Sequence, residues 1–208
     1  MLMTKLLLPA SAALFLMLTS CSEPPPATVK KEPEKIEPAS GQSALFKMYQ
    51  TARAAWSADA EVLKMNSIHL PEVPTVPGKA GAWEAAFTSA RLGRARSYTY
   101  SVIEGQGNLH KGVFGGPEEG WSGPTGITST FPFIAVKIDT DAAYQTALAH
   151  GGADYDKQTP GKTITVLLEK TNKHPDPVWR IVWGESVGTS NFSVLVDATV
   201  GDFLEKLH

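Results

Sequence analysis

A single cysteine, Cys21, stands in the 208 residues, so an intrachain disulfide is excluded. A one-sided charge is missing as well. Nineteen Lys and Arg face 21 Asp and Glu, a net charge of −2, where a nucleic-acid binder carries a basic excess. No apolar run reaches the roughly 20 residues of a membrane-spanning helix. The five histidines, His69, His110, His150, His174 and His208, are scattered without metal-ligand spacing. No metal or other cofactor is therefore expected. What is present, 42% hydrophobic and 19% charged residues, describes a globular protein of one medium domain or two small ones.

The start of the chain reads as an address. Met1 to Lys5 carry one positive charge, and Leu6 to Leu18 form a largely apolar run of thirteen residues. That length fits the core of a secretory signal peptide, about 7–15 residues. Leu18-Thr19-Ser20-Cys21 follows, and it resembles the bacterial lipoprotein lipobox. The resemblance implies a signal peptide over residues 1–20, diacylglycerol on the Cys21 sulfur, cleavage before Cys21, and an acyl chain such as palmitate on the new amine. Several acyl chains hold a protein to a membrane where one does not, at about 0.8 kcal/mol per buried methylene. Ser22, in place of Asp, implies the periplasmic face of the outer membrane if the cell is Gram-negative. The expected location is thus the cell envelope, with the membrane as a partner through lipidated Cys21.

Residues 21–40 read as a lipidated Cys and a disordered tether. Pro24, Pro25, Pro26, Pro33 and Pro38 alternate with Lys and Glu, leaving little to bury and favouring extended polyproline II.

Apolar patterning begins near Gly41, and within it a weak repeat appears. Tyr49-Gln50-Thr51-Ala52 recurs as Tyr144-Gln145-Thr146-Ala147. Trp83, Ala85 and Phe87 recur in character as Trp179, Ile181 and Trp183; Tyr98, Tyr100 and Val102 as Phe192, Val194 and Val196. The offsets of roughly 95 are far too long for a solenoid and predict two copies of a small α+β unit. Helical spacing places Leu45, Met48, Tyr49, Ala52, Ala55 and Trp56 on one face of the first helix, and Ala143, Tyr144, Ala147 and Leu148 on one face of the second, capped by Asp139 or Thr140. Gly151-Gly152 is a stop for that second helix, unless Ala153 to Lys157 continue it. Strands are predicted over 61–70, 82–89, 97–104 and 108–114, then 163–169, 178–183, 192–197 and 202–207, with a further one over 131–138. Short Gly- and Pro-containing connections predict antiparallel pairing. The fold class is α+β: two copies of a helix packed on a three- to four-stranded antiparallel sheet, the first over 41–114 and the second over 131–208. Residues 115–130 form a Gly/Pro-rich connector, either a domain boundary or a long loop.

The segments Val178-Trp179-Arg180-Ile181-Val182-Trp183 and Val194-Leu195-Val196-Asp197-Ala198-Thr199-Val200-Gly201 resemble the end of a PepSY domain, as Asp141 to Leu148 resembles its Ala-rich helix. Ile103-Glu104 stands in the first copy where Asp-Ala would fall, and Val200 where Thr usually precedes the Gly. The resemblance implies an exported protein without catalytic residues, and a peptidase-regulating role.

Catalytic patterns fail on context. Gly184-Glu185-Ser186-Val187-Gly188 matches the nucleophile elbow, which needs a helix after the serine, whereas an alternating strand follows. A Ser-Asp-His order would require Asp197 or Asp202 with the terminal His208. Gly161-Lys162-Thr163 lacks the earlier glycine of a P-loop, because residue 156 is Asp. Asp154 and Asp156 start like a calcium loop, but Gln158 and Thr159 stand where a ligand and Gly belong. Two surface features remain. Arg91, Arg94 and Arg96 form either a site for an anionic partner or a solvated hairpin tip. Trp121 is either a binding anchor or a residue tucked between the copies. The expected function is a non-enzymatic, protein-binding or peptidase-regulating envelope module with an envelope protein or peptidase as partner and no nucleic acid. Two alternatives stand beside it: an esterase-like hydrolase using Ser186, and a carrier of a small apolar or lipid ligand between the copies.

Overall fold

The computed structural model describes residues 35–107, 109–125 and 127–208. The signal peptide, the lipobox with Cys21, and most of the tether lie outside the described residues.

The first elements are β1 (Ala39–Ser40), α1 (Gly41–Ala55), β2 (Glu61–Ile68), β3 (Lys79–Ala80), β4 (Ala82–Ser89), β5 (Arg94–Ser101) and β6 (Gly112–Gly120). A 3₁₀ turn at Phe133–Ala135 leads to α2 (Thr140–Ala147), which continues through a π turn at Leu148–Gly152 into α3 (Ala153–Gln158). Then come β7 (Ile164–Glu169), β8 (Val178–Trp183), β9 (Ser193–Asp197) and β10 (Phe203–Leu207).

The class is α+β with antiparallel pairing, as expected. The expected three- to four-stranded sheet under each helix is corrected to one larger sheet. Eight strands form one sheet in the order β10-β9-β8-β7-β2-β4-β5-β6. Met65 pairs with Leu168 where β2 meets β7. Each of these side chains is nearly fully buried, at 1% and 0% exposure. Two separate sheets would have left this apolar edge in water, which is why the halves fuse. Three further expectations shift. Residues 131–138 form a bridge at Phe131 and a 3₁₀ turn in place of a strand. The connector begins later than expected, because β6 runs on to Gly120. The tether ends sooner, because Ala39 and Ser40 pair with Ala80 and Lys79.

Both outer strands carry features that discourage further pairing. Pro117 cannot donate a ladder hydrogen bond, and β6 bears Glu118 and Glu119. At the other edge β10 is bulged between Phe203 and Glu205.

The helices lie on one face of the sheet. Ala44, Leu45, Met48 and Ala52 form the buried stripe of α1, while Ala55 is exposed. Ala143, Tyr144 and Ala147 form that of α2. Beneath them Trp83, Phe87, Trp179, Ile181 and Trp183 are sealed from solvent, each contributing about 2–3 kcal/mol by burial. Gly152 permits the second helical segment to lie against Trp183: a Cβ there would stand 2.5 Å from Trp183 Cη2.

The helix N-termini meet at the centre of the molecule. Asp139 caps α2 by accepting from the Thr140 N–H at 2.7 Å. It also accepts from the Gln42 N–H of α1 at 2.9 Å and from the Ser40 hydroxyl at 2.6 Å. Thr140 Oγ1 accepts from the Gly41 N–H at 2.8 Å. Two positive dipole ends brought together repel, and the shared carboxylate offsets that repulsion. Gly41 makes the approach possible, since a Cβ there would fall 2.5 Å from the Thr140 methyl.

Candidate functional site

Three regions compete as functional surfaces: the β4–β5 hairpin tip, the β8–β9 turn, and a cavity where the two halves join.

At the hairpin tip the structure gathers the surface residues singled out by the sequence. The Trp121 N–H donates to the Gly93 carbonyl at 3.0 Å, and Arg94 pairs with Gly120 in the ladder. Trp121 is therefore at the β6 edge of the sheet. The reading that tucks it between the copies is corrected, because the halves join at β2 and β7, three ladder steps away. The arginines are not equivalent. Arg91 donates its backbone N–H to Asp59 at 3.0 Å and its guanidinium to Ser57 Oγ at 3.0 Å. Asp59 also accepts from Ser57 Oγ at 2.6 Å and Ser89 Oγ at 2.7 Å. The Ser57 hydroxyl, then the Arg91 amide and the Ser89 hydroxyl, hold the Asp59 carboxyl far below its ordinary range. Arg96 donates to the Gly116 carbonyl at 2.7 Å and covers the Tyr98 ring. Arg91 and Arg96 thus lock the hairpin in place. Arg94 and Leu92 are left exposed beside half-buried Trp121.

Ser186 sits on the β8–β9 turn with its hydroxyl 2.9 Å from Thr189 Oγ1. The turn roofs a depression of about 420 Å³ on the sheet face opposite the helices, lined also by Lys64, Asn66, Glu169 and Glu185. No histidine lines it. Asp197 accepts from the Thr199 and Val200 N–H groups and so shapes the β9–β10 turn. His208 packs its ring against Phe192. Of the residues proposed for a Ser-Asp-His order, Ser186, Asp197 and His208 are engaged elsewhere. Asp154 accepts from Lys157 and Asp156 from the Trp183 indole, so these two carboxylates serve the α3 surface and the core. Among the described residues no cluster of His, Cys, Asp and Glu could hold a metal ion.

The third region escaped the sequence reading of single motifs. A cavity of about 430 Å³ opens on the helix-bearing face at the junction of β2 and β7. Ser67 of β2, Ile164 and Val166 of β7, and Tyr144 of α2 line it. Its walls are the β2–β4 loop, which contributes Val73 and Lys79, and the segment Gly161–Thr163. Thus the Gly-Lys-Thr triplet leads into a strand, unlike a P-loop, and its lysine faces a cavity. Tyr144 is 8% exposed and stacks on Trp183 with centroids 6.1 Å apart. Burial, with a smaller contribution from the Asp156 charge, raises the phenol pKa, so Tyr144 is a neutral donor. Only a three-dimensional pairing of α2, β7 and a distant loop assembles this site, and no linear spacing signals it.

No family model, no curated protein and no solved structure matches this chain.

Proposed function

We propose that the protein is an envelope lipoprotein, anchored by acylated Cys21, that displays a non-enzymatic binding body on a proline-rich tether. The observation that carries this reading is the order of its parts: Leu18-Thr19-Ser20-Cys21, then a stretch with nothing to bury, then a body whose core starts at Ala44. Several acyl chains on one residue give lasting membrane residence. The envelope location, and the outer-membrane periplasmic face in a Gram-negative cell, follow from that anchor.

The body is proposed to be a duplicated PepSY-like unit. Equivalent residues support this. Trp83 donates its indole N–H to the Ala39 carbonyl at 3.0 Å, just before the cap of α1. Trp179 donates to the Ile138 carbonyl at 2.8 Å, just before the cap of α2. Tyr49 packs on Phe87 as Tyr144 packs on Trp183. Each half is a helix followed by a four-strand meander. The partner is proposed to be an envelope protein or peptidase that engages the hairpin tip, where Leu92, Arg94 and Trp121 combine apolar area with a positive charge. The esterase alternative is disfavoured by the Thr189 contact of Ser186 and the strand that follows.

Growth with an alkyne-tagged palmitate tests the anchor. The mature chain should carry the tag, and Cys21→Ser should lose it and accumulate as precursor; an untagged wild-type product overturns the reading. A fluorophosphonate probe tests the catalytic alternative. Labelling that disappears in Ser186→Ala would replace binding with hydrolysis.

A further inference from the structure

The cavity beside Tyr144 joins a cationic rim to an apolar floor. Lys79 and Lys162 are exposed lysines on opposite walls. No aspartate or glutamate lines the cavity. Three carboxylates act near these groups: Asp141 caps its own helix turn, Glu37 pairs with Lys35 within electrostatic reach of Lys79, and Asp156 accepts from the Trp183 indole within electrostatic reach of Tyr144. Tyr144 lines the cavity with most of its surface buried, and its hydroxyl is a neutral donor. Beneath these groups Val73, Ile164 and Val166 supply apolar contact.

The walls are held in place before any ligand arrives. Pro71, Pro74 and Pro77 restrict the β2–β4 loop. Val73, at 6% exposure, plugs it into the body, and the Gly78 carbonyl accepts from Thr140 Oγ1. A preformed cavity binds with less loss of chain entropy than one ordered on binding. Nor is the space an automatic product of the architecture. The equivalent tyrosine, Tyr49, has Phe133 stacked on it at 5.1 Å in addition to Phe87. Trp183 is the ring packed on Tyr144, and the cavity is its other neighbour.

We propose that this cavity binds a small, single-chain amphipathic anion, with its carboxylate or phosphate held by Lys79, Lys162 and the Tyr144 hydroxyl and its aliphatic part laid on Val73, Ile164 and Val166. A volume of about 430 Å³ lies at the small end of ligand sites, which suits one short chain better than a two-chain lipid. This site goes beyond the partner-binding reading and does not depend on acylation of Cys21.

Calorimetric titration of the full-length protein tests it, with sodium octanoate, octyl phosphate, octanol and octylamine as probes. At least one of the two anions should bind, and octanol and octylamine should bind at least tenfold more weakly. The stronger anion identifies the headgroup. Replacing two charge-assisted contacts in Lys79→Gln/Lys162→Gln should weaken that anion more than about tenfold. Tyr144→Phe, which keeps the ring on Trp183, should weaken it about threefold or more. Lys64→Gln, on the opposite sheet face, should leave it unchanged. Added salt should weaken binding to wild type and have less effect on the double lysine variant. The proposal is overturned if neither anion binds, if octanol or octylamine binds as tightly, or if the double lysine variant keeps wild-type affinity.

Discussion

In the first half of the molecule a second aromatic ring packs on the helix tyrosine, and in the second half a cavity adjoins it. Tyr49, partly exposed, packs on Phe87 and Phe133; Tyr144, 8% exposed, packs on Trp183 and lines the cavity. The difference traces to which segment crosses each helix. Residues 131–136 bring Phe131 into a bridge with Val62 and Phe133 onto Tyr49. At the other flank the proline-spaced β2–β4 loop stands off as a wall. One architecture can therefore flank its tyrosine with a packed ring or with a cavity, depending on one connecting segment.

The comparison is broken most severely at the two central tryptophans. Trp83→Ala and Trp179→Ala should each cost about 4 kcal/mol, from lost burial and a cavity. Because β2 and β7 fuse the sheet, urea unfolding should show one transition moved in both variants. Two transitions, with only one displaced, would mean that the halves fold separately.

The shared cap comes next. Asp139→Ala removes the acceptor for Thr140, Gln42 and Ser40 together, and should cost about 2 kcal/mol. Ser40→Ala removes one of those donors and should cost about 1 kcal/mol or less. Equal losses would contradict the idea of one carboxylate serving both helices. Phe133→Ala sharpens the comparison differently. It should open a second cavity beside Tyr49 at about 1–2 kcal/mol, because Phe133 is only partly buried. A crystal structure of that variant with the space refilled by neighbouring side chains would show that Tyr144 lacks something other than a covering ring.

The smallest effect concerns acid. The Asp59 carboxyl is held below its ordinary value of 3.8 by the Ser57 and Ser89 hydroxyls and the Arg91 amide. A folded-state pKa below the unfolded one stabilises the fold at pH values above the unfolded pKa. That contribution fades as pH falls below about 4. Asp59→Asn should therefore destabilise the hairpin at neutral pH and flatten the acid limb of a stability–pH curve. An unchanged acid limb would remove Asp59 from the account.

Much of this frame is legible in the sequence. The bounds of β4 and β8 follow from alternation of large apolar residues, and the Asp139 cap from its place before an Ala-rich helix. The last strand of the first half, β6, is obscured because Gly115-Gly116-Pro117 is typical of a turn, and an edge strand tolerates such residues only because one side needs no partner. The fusion of the halves depends on Met65 meeting Leu168, a pairing between distant strands that periodicity cannot choose. The cavity is hidden for the same reason: Lys79, Tyr144 and Lys162 are remote in the chain and meet only once α2 and the β2–β4 loop flank the junction. The lone arginine cluster was misleading in the opposite sense, since two of its members support the hairpin.

The most direct test of the site is photolabelling of the full-length protein with a diazirine-bearing octanoate, mapped by peptide mass spectrometry. The account predicts adducts on the stretches containing Val73, Ile164 and Val166, suppressed by excess unlabelled octanoate and reduced in Lys79→Gln/Lys162→Gln. Adducts concentrated around Tyr49 and Phe133, or on the sheet face that carries Lys64 and Ser186, would contradict it.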